Sequence, residues 1–243
     1  HRIEKKDLFQ HIKKTIEKQF DTYTSELYEL ASRLDQLKRP VIIYIGGAPG
    51  TGKSMLATSL ATRLGINKVI STDSIREIMR LAFSNDLLPT LFHSTTEAWK
   101  GLPMEFQSSE QLIAGYCLQA NQVSLGVRAV VERTVEEGEN LIVEGAHLVP
   151  FLHEIAKKEM VDAYHIPITL SIMNEKHHRE RFSERGTKNL RKIENFYLER
   201  FNEIRSINEY TLTQCETDEV EVFDNEDLDE TLNLIIQFSI QRL

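Results

Sequence analysis

Residues 41–54 read V-I-I-Y-I-G-G-A-P-G-T-G-K-S, and this stretch decides the fold. Residues 41–45 are an apolar run of β-branched and aromatic side chains, the pattern of a fully buried strand. The run that follows matches G-x-x-x-x-G-K-[ST] from Gly47 to Ser54, and residues 55–64 read as a helix. Strand, glycine loop and helix in that order are the setting a phosphate-binding loop requires. Gly47, Gly50 and Gly52 let the backbone turn tightly, so that the loop Gly47, Ala48, Pro49, Gly50, Thr51, Gly52, Lys53 and Ser54 can aim N–H groups at phosphate. The helix N-terminus adds partial positive charge there. Lys53 supplies a point charge for β- and γ-phosphates, and Ser54 offers a hydroxyl to Mg²⁺.

Downstream, residues 68–71 (K-V-I-S) read as a second short strand, followed at once by T-D-S-I-R. Asp73 stands at a strand's carboxyl end with Arg76 one turn on, where ligands of open α/β sheets bind. A carboxylate there can orient or deprotonate an acceptor hydroxyl. The plainer alternative is a helix N-cap beside a surface arginine. Residues 140–149 (N-L-I-V-E-G-A-H-L-V) resemble a strand with an acidic tip, Glu144, able to hold a Mg²⁺-bound water or the attacking group. His147 either reaches the same crevice or is a satisfied loop residue. Strand 163–172 carries Pro167, awkward in a central strand unless its missing N–H faces no partner or the strand starts after it. Next comes N-E-K-H-H-R-E-R-F-S-E-R-G, a lid candidate: Arg181 and Arg185 lie four apart and share a helix face. Guanidinium groups there stabilise charge on a transferring phosphoryl group; a solvated face paired by glutamates is the alternative.

The remainder is less specific. Apolar residues recur at spacings of three and four over 3–38 and predict one helical stripe, or two helices breaking near residues 22–25. That stripe suits either a dimerisation helix or cis packing on the sheet. Residues 85–103 hold the sole tryptophan, Trp99, and read as a substrate flap or a helical connection. Residues 105–136 read as a long helical stretch, one helix or two, with Gln119 and Gln122 near its apolar face. A helix over 193–212, a strand over 220–223 and a closing helix over 228–243 follow. Strands alternating with helices throughout predict an α/β protein with a mostly parallel sheet covered on both faces.

Composition narrows the function. With 243 residues, 41% hydrophobic and 27% charged, the chain suits one large domain or a domain with an appendage. A net charge of −8 argues against nucleic acid as the main partner. Two cysteines without a C-x-x-C pattern suit a reducing cytoplasm. No apolar run is long enough to span a membrane, and no signal-peptide core is present.

Several stretches together resemble the archaeal 2-phosphoglycerate kinase family: I-G-G-A-P-G-T-G-K-S, I-S-T-D-S-I-R-E-I-M-R, L-L-P-T-L-F-H-S-T-T-E-A-W-K, V-E-G-A-H-L-V-P, H-H-R-E-R-F-S-E-R and F-N-E-I-R-S-I-N-E-Y. The resemblance runs from about residue 39 to the C-terminus. It implies a P-loop NTPase three-layer sandwich like the nucleoside monophosphate kinases, with a five-stranded, mostly parallel sheet over 39–243 and an N-terminal helical extension over 1–38. The implied enzyme is a cytoplasmic kinase using ATP and Mg²⁺ to phosphorylate a hydroxyl of a small phosphorylated acid, 2-phosphoglycerate first and mevalonate 3-phosphate, as in related 5-kinases, as the alternative. A nucleic-acid 5′-end kinase is the alternative of another class, and a homodimer is a further expectation. An anionic acceptor calls for cations: Arg76 first, Lys100 second. In this scheme Lys53, Asp73, Arg181 and Arg185 are catalytic. Arg76, Lys100, Glu144 and His147 bind substrate, and Ser54, with Glu144 through water, serves the metal. Two departures stand out. The family usually carries an N-terminal ATP-cone domain where only 38 residues precede the kinase segment, and residues 100–119 match it less well.

Overall fold

The computed structural model describes residues 5–19, 22–103, 110–152, 154, 162–184 and 191–243. Its centre is strand β1 (Val41–Gly47), every residue of which is buried. Both neighbours come from far down the chain. Parallel β3 (Leu141–Glu144) lies on one side and parallel β4 (Tyr164–Ser171) on the other. Short edge strands β2 (Lys68–Ser71) and β5 (Glu221–Asp224) complete a five-stranded sheet of order β2-β3-β1-β4-β5, every pair parallel. The continuous apolar reading of β1 and β3 follows, since inner parallel strands are covered on both faces.

One face is covered by α2 (Thr22–Gln36), α3 (Lys53–Leu64) and α9 (Leu228–Arg242): Leu30, Leu34, Leu56, Leu60, Leu232 and Ile235 pack with Ile43 and Ile45 of β1. The other face, from Ile42 and Tyr44, meets Ile75 and Met79 of α4 (Thr72–Ala82) and Val123, Val127 and Val131 of α5 (Gln111–Glu136). The 3₁₀ segment Ala146–Phe151 adds Leu148 and Val149 to that face. Three layers result. On the lid side stand α6 (Glu175–Glu184), α7 (Arg191–Glu199) and α8 (Phe201–Asp218).

The N-terminal stripe folds as two helices, α1 (Lys5–Gln19) and α2, joined across by Lys13 Nζ donating to Glu29 at 2.6 Å. Of the two expectations for it, α2 takes the cis one, with Leu30 and Leu34 fully or nearly buried in this chain's own core. Pro167 does sit inside β4, opposite Tyr44, but β5 pairs with β4 only from Ile168 onward. The missing N–H therefore faces the open edge and costs no ladder bond. Residues 85–103 form two 3₁₀ turns, Pro89–Phe92 and Thr95–Gly101, rather than a continuous helix. Among the described residues no helix is long and apolar enough to cross a membrane.

Candidate active site

The loop between β1 and α3 turns on glycine. At Gly47 φ is 138°, and a Cβ there would collide with the Leu170 carbonyl of β4. Gly50, at φ 85°, lies against the Phe182 ring of α6 with no room for a side chain. Within the loop, Lys53 Nζ donates to Ala48 O at 2.8 Å and Thr51 Oγ1 donates to the same oxygen at 3.0 Å. Asn225, buried at the end of β5, ties the loop from outside: its Nδ2 donates to Thr51 O at 2.8 Å.

Sheet register sets the acidic partner. Ile45 of β1 pairs with Glu144 of β3, which brings that carboxylate beside the loop. The Ser54 hydroxyl donates to Glu144 Oε1 at 3.1 Å. Burial pushes the Glu144 carboxyl up from its ordinary value; Lys53 and Ser54 pull against that, and the nearby Asp73 charge adds to it.

Asp73 is not the helix cap that the sequence allowed. Ser71 takes that role, its side chain accepting from Ser74 N at 3.1 Å, because Ser71 is the last extended residue before α4. The Asp73 carboxylate is thereby left at the cavity wall, 66% exposed, 3.6 Å from Arg76 Nε. Arg76 forks onto backbone: its Nη1 donates to Leu91 O at 3.0 Å and His93 O at 2.9 Å, and Nη2 to Glu77 at 2.8 Å. Its buried Nε makes no hydrogen bond to the described residues. So Arg76 both lines the cavity and fastens the 91–93 backbone that leads into Ser94, Thr95 and Thr96 on the opposite wall.

Lys53, Ser54, Asp73, Arg76 and Glu144 meet around one cavity of about 310 Å³. A second, of about 440 Å³, opens on the other side of the loop, sharing Gly50 and Gly52 and lined by Arg181, Asn225 and Leu228. Arg181 Nη2 donates to Glu226 O at 3.1 Å and to Asn225 O.

Two expected substrate ligands are placed elsewhere. Lys100 Nζ donates to Glu97 at 2.6 Å and does not line the cavity, because Glu97 sits one 3₁₀ turn before it. His147 is fully buried beneath the wall. Its Nδ1 pairs with Thr72 Oγ1 at 2.8 Å and its Nε2 with Gln119 Oε1 at 3.0 Å. Burial drives its pKa down to about 4, so it is a neutral brace for the start of α4 rather than a charge facing substrate. Gln119 in turn donates to Thr90 O and His93 O, which makes it a support of the same wall. Arg185 lies outside the described residues. Ser94, Thr95 and Thr96 lie in the stretch 85–103 read as a substrate flap or a helical connection, and they line the cavity; the sequence does not single out Tyr197 and Asn225, though Asn225 carries a signal as the middle of a polar D-N-E turn after an apolar strand.

A five-stranded parallel sheet with a phosphate loop on its central strand, and an acidic tip on the strand beside it, is the framework of the P-loop kinases. The particular branch follows from comparison. A family profile described as an AAA domain matches residues 43–202. The 2-phosphoglycerate kinase of Methanopyrus kandleri is 37% identical over 93% of this chain and 68% of its own length. Those of Methanocaldococcus jannaschii and Pyrococcus furiosus are each 39% identical, over 85% and 92% of this chain and 65% and 72% of theirs. The chain belongs to the 2-phosphoglycerate kinase family, and it spans about two thirds of the length of these relatives.

Proposed function

We propose that this chain transfers the γ-phosphoryl group of ATP to the free hydroxyl of 2-phosphoglycerate, giving 2,3-bisphosphoglycerate and ADP. Family membership supplies the substrate class. The observation that carries the assignment of roles is the cavity in which Asp73 and Arg76 face Lys53 and Ser54 of the phosphate loop.

The acceptor occupies this cavity, and the nucleoside occupies the larger one across Gly50 and Gly52. Asp73 orients the acceptor hydroxyl and takes its proton as it attacks the γ-phosphorus in line. Arg76, on the wall of this cavity, supplies the cation for the acceptor's anionic groups. Lys53 and the loop N–H groups hold the transferring phosphate, and lid arginines, Arg181 and Arg185, close over it. Ser54 and Glu144 suit Mg²⁺, a hard ion that takes one or two protein oxygens plus substrate phosphates and keeps its waters. Magnesium supplies charge neutralisation on the phosphate chain. We assign catalysis to 39–243 and treat 1–38 as an extension, since every residue named in these roles lies in the former. The relatives' organisms and two free cysteines support an archaeal cytoplasm. A homodimer is left out of the proposal because Leu30 and Leu34 of the N-terminal stripe are used in cis.

An ATP-consumption assay over 2-phosphoglycerate, mevalonate 3-phosphate, mevalonate, glycerate, an RNA 5′-end and no acceptor tests it. Turnover on 2-phosphoglycerate well above the others is expected. Preference for mevalonate 3-phosphate would reassign the acceptor, and hydrolysis alone would remove it.

A further inference from the structure

Two sequence segments, H-H-R-E-R-F-S-E-R and F-N-E-I-R-S-I-N-E-Y, meet at one histidine that no role above uses. His178, on α6, has no solvent exposure. Its Nε2 lies 2.8 Å from Pro49 O at the apex of the phosphate loop. Its Nδ1 lies 3.3 Å from Arg205 Nη1 of α8. A carbonyl only accepts and a guanidinium only donates, so the partners fix a neutral ring with its proton on Nε2. Arg205 is anchored in turn: its Nη1 donates to Ile172 O at 2.7 Å, just past the end of β4. The ring is clamped by Phe182 and Phe201, both at 5.6 Å between centroids, and Phe182 is the ring that lies against Gly50.

The consequence lies in one peptide plane. In a trans peptide the C=O and the following N–H point in opposite directions. Holding Pro49 O on His178 turns the Gly50 N–H away from His178, and Pro49 and Gly50 both line the cavity that Lys53 lines. Glycine has the backbone freedom to lose that orientation. We infer that His178, braced by Arg205, is a positioning residue that presets the 49–50 peptide so that the Gly50 N–H faces the nucleotide's phosphates. The inference rests on the kinase reading above. It adds that nucleotide affinity depends on a hydrogen-bond donor held outside the loop.

The test uses three proteins and one ligand, MgADP, measured by calorimetry without acceptor, then kcat and both KM values. His178→Leu removes the donor; His178→Gln keeps an amide N–H of similar reach. His178→Leu is expected to weaken MgADP about 10-fold, the scale of one lost hydrogen bond, and to lower kcat while leaving the acceptor KM unchanged. His178→Gln is expected to recover most of both. Equal MgADP affinity in wild type and His178→Leu would overturn the inference, as would a His178→Gln protein as impaired as His178→Leu. Wild type that binds no MgADP would instead overturn the kinase reading itself. Should His178→Leu fail to fold, the imidazole ¹⁵N spectrum of the wild type decides. The Nε2-protonated tautomer of His178 is expected, and the Nδ1-protonated one would break the chain from Arg205 to Pro49.

Discussion

The Ser54 hydroxyl and the Glu144 carboxylate, 90 residues apart in sequence, share a 3.1 Å hydrogen bond at the foot of the phosphate loop. The pair exists because β1 and β3 are neighbours in register, not because of anything local. A buried carboxylate raised by its burial is poised to gain from a divalent cation, which would bring the charge that Lys53 alone only partly supplies. Glu144→Gln keeps the shape and removes the charge. It should raise the Mg²⁺ concentration for half-maximal turnover by about 10- to 100-fold, the range for residues that steer a metal's surroundings. A magnesium titration of turnover reads this directly, and an unchanged requirement would place the metal elsewhere.

In the proposed scheme Asp73 and Arg76 divide two tasks across one turn of α4. Asp73→Asn should lower kcat by about 10²-fold, the usual scale for a lost general base, while nucleotide affinity stays near that of the wild type. Arg76→Ala should raise the acceptor KM far more than the ATP KM, because it strips a cation and also frees the Leu91 and His93 carbonyls. Arg76→Lys should not restore it, since a single ammonium cannot serve the Leu91 and His93 carbonyls and also reach Glu77 and Asp73 as the guanidinium does. Steady-state kinetics with each substrate varied in turn separates the two variants.

Glu97 binds two cations from different parts of the chain, Lys100 at 2.6 Å and Arg200 at 2.9 Å. Lys100 foremost, with Arg200 behind it, holds its carboxyl down at about 2. Arg200 follows α7, whose Tyr197 lines the cavity of Asp73 and Arg76, whereas Glu97 continues the wall of Thr95 and Thr96. The ion pair thus links the Tyr197 and Thr95–Thr96 parts of the lining of the cavity proposed for the acceptor. Glu97→Gln and Arg200→Gln should each raise the acceptor KM several-fold, and the double variant no further, because contacting residues are non-additive. A double-mutant cycle on the acceptor KM measures this; simple addition would show two independent effects.

Acid should unfold this protein through its buried histidines. Burial lowers both His147 and His178 to about 4 in the folded state, against 6.5 for an ordinary histidine. The unfolded chain therefore takes up two protons over that window that the folded chain refuses. Stability is fully present above about pH 6.5 and falls as the pH drops toward 4, by about 1.4 kcal/mol per unit for each histidine. Calorimetric melting from pH 7.5 to 4.5 should show Tm falling, and His178→Gln should flatten the slope by about half. A flat wild-type profile over that range would mean that neither ring is held neutral.

Much of the frame was legible because its signals are local. The loop of residues 47–54, the tip at Glu144 and the alternation of strands and helices are written in consecutive residues, and the sheet places them as their order implies. The walls of the acceptor cavity were harder. Asp73 and Ser71 compete for the same cap, and only the backbone turn at Ser71 decides between them. Lys100 reads as a free cation until Glu97 is brought beside it by a 3₁₀ turn that sequence periodicity does not announce. His147 reads either as a site residue or as a satisfied loop residue; Thr72 and Gln119 occupy both its nitrogens, and those deciding contacts span 75 and 28 positions of chain. Tyr197 enters the cavity from a helix with no motif at all.

The central place of β1 has a bearing on how the protein is made. Val41 N waits for the side chain of Asn140, 99 positions later, and Tyr44 for His165, 121 positions later. During synthesis the phosphate loop has neither neighbouring strand until residues 141–171 have followed it. Pairings this distant in sequence are slow to form. A nucleotide that grips this loop is therefore expected to bind only once β1 has both its neighbours. A fluorescent nucleotide added during refolding would accordingly report the last event of assembly rather than the first.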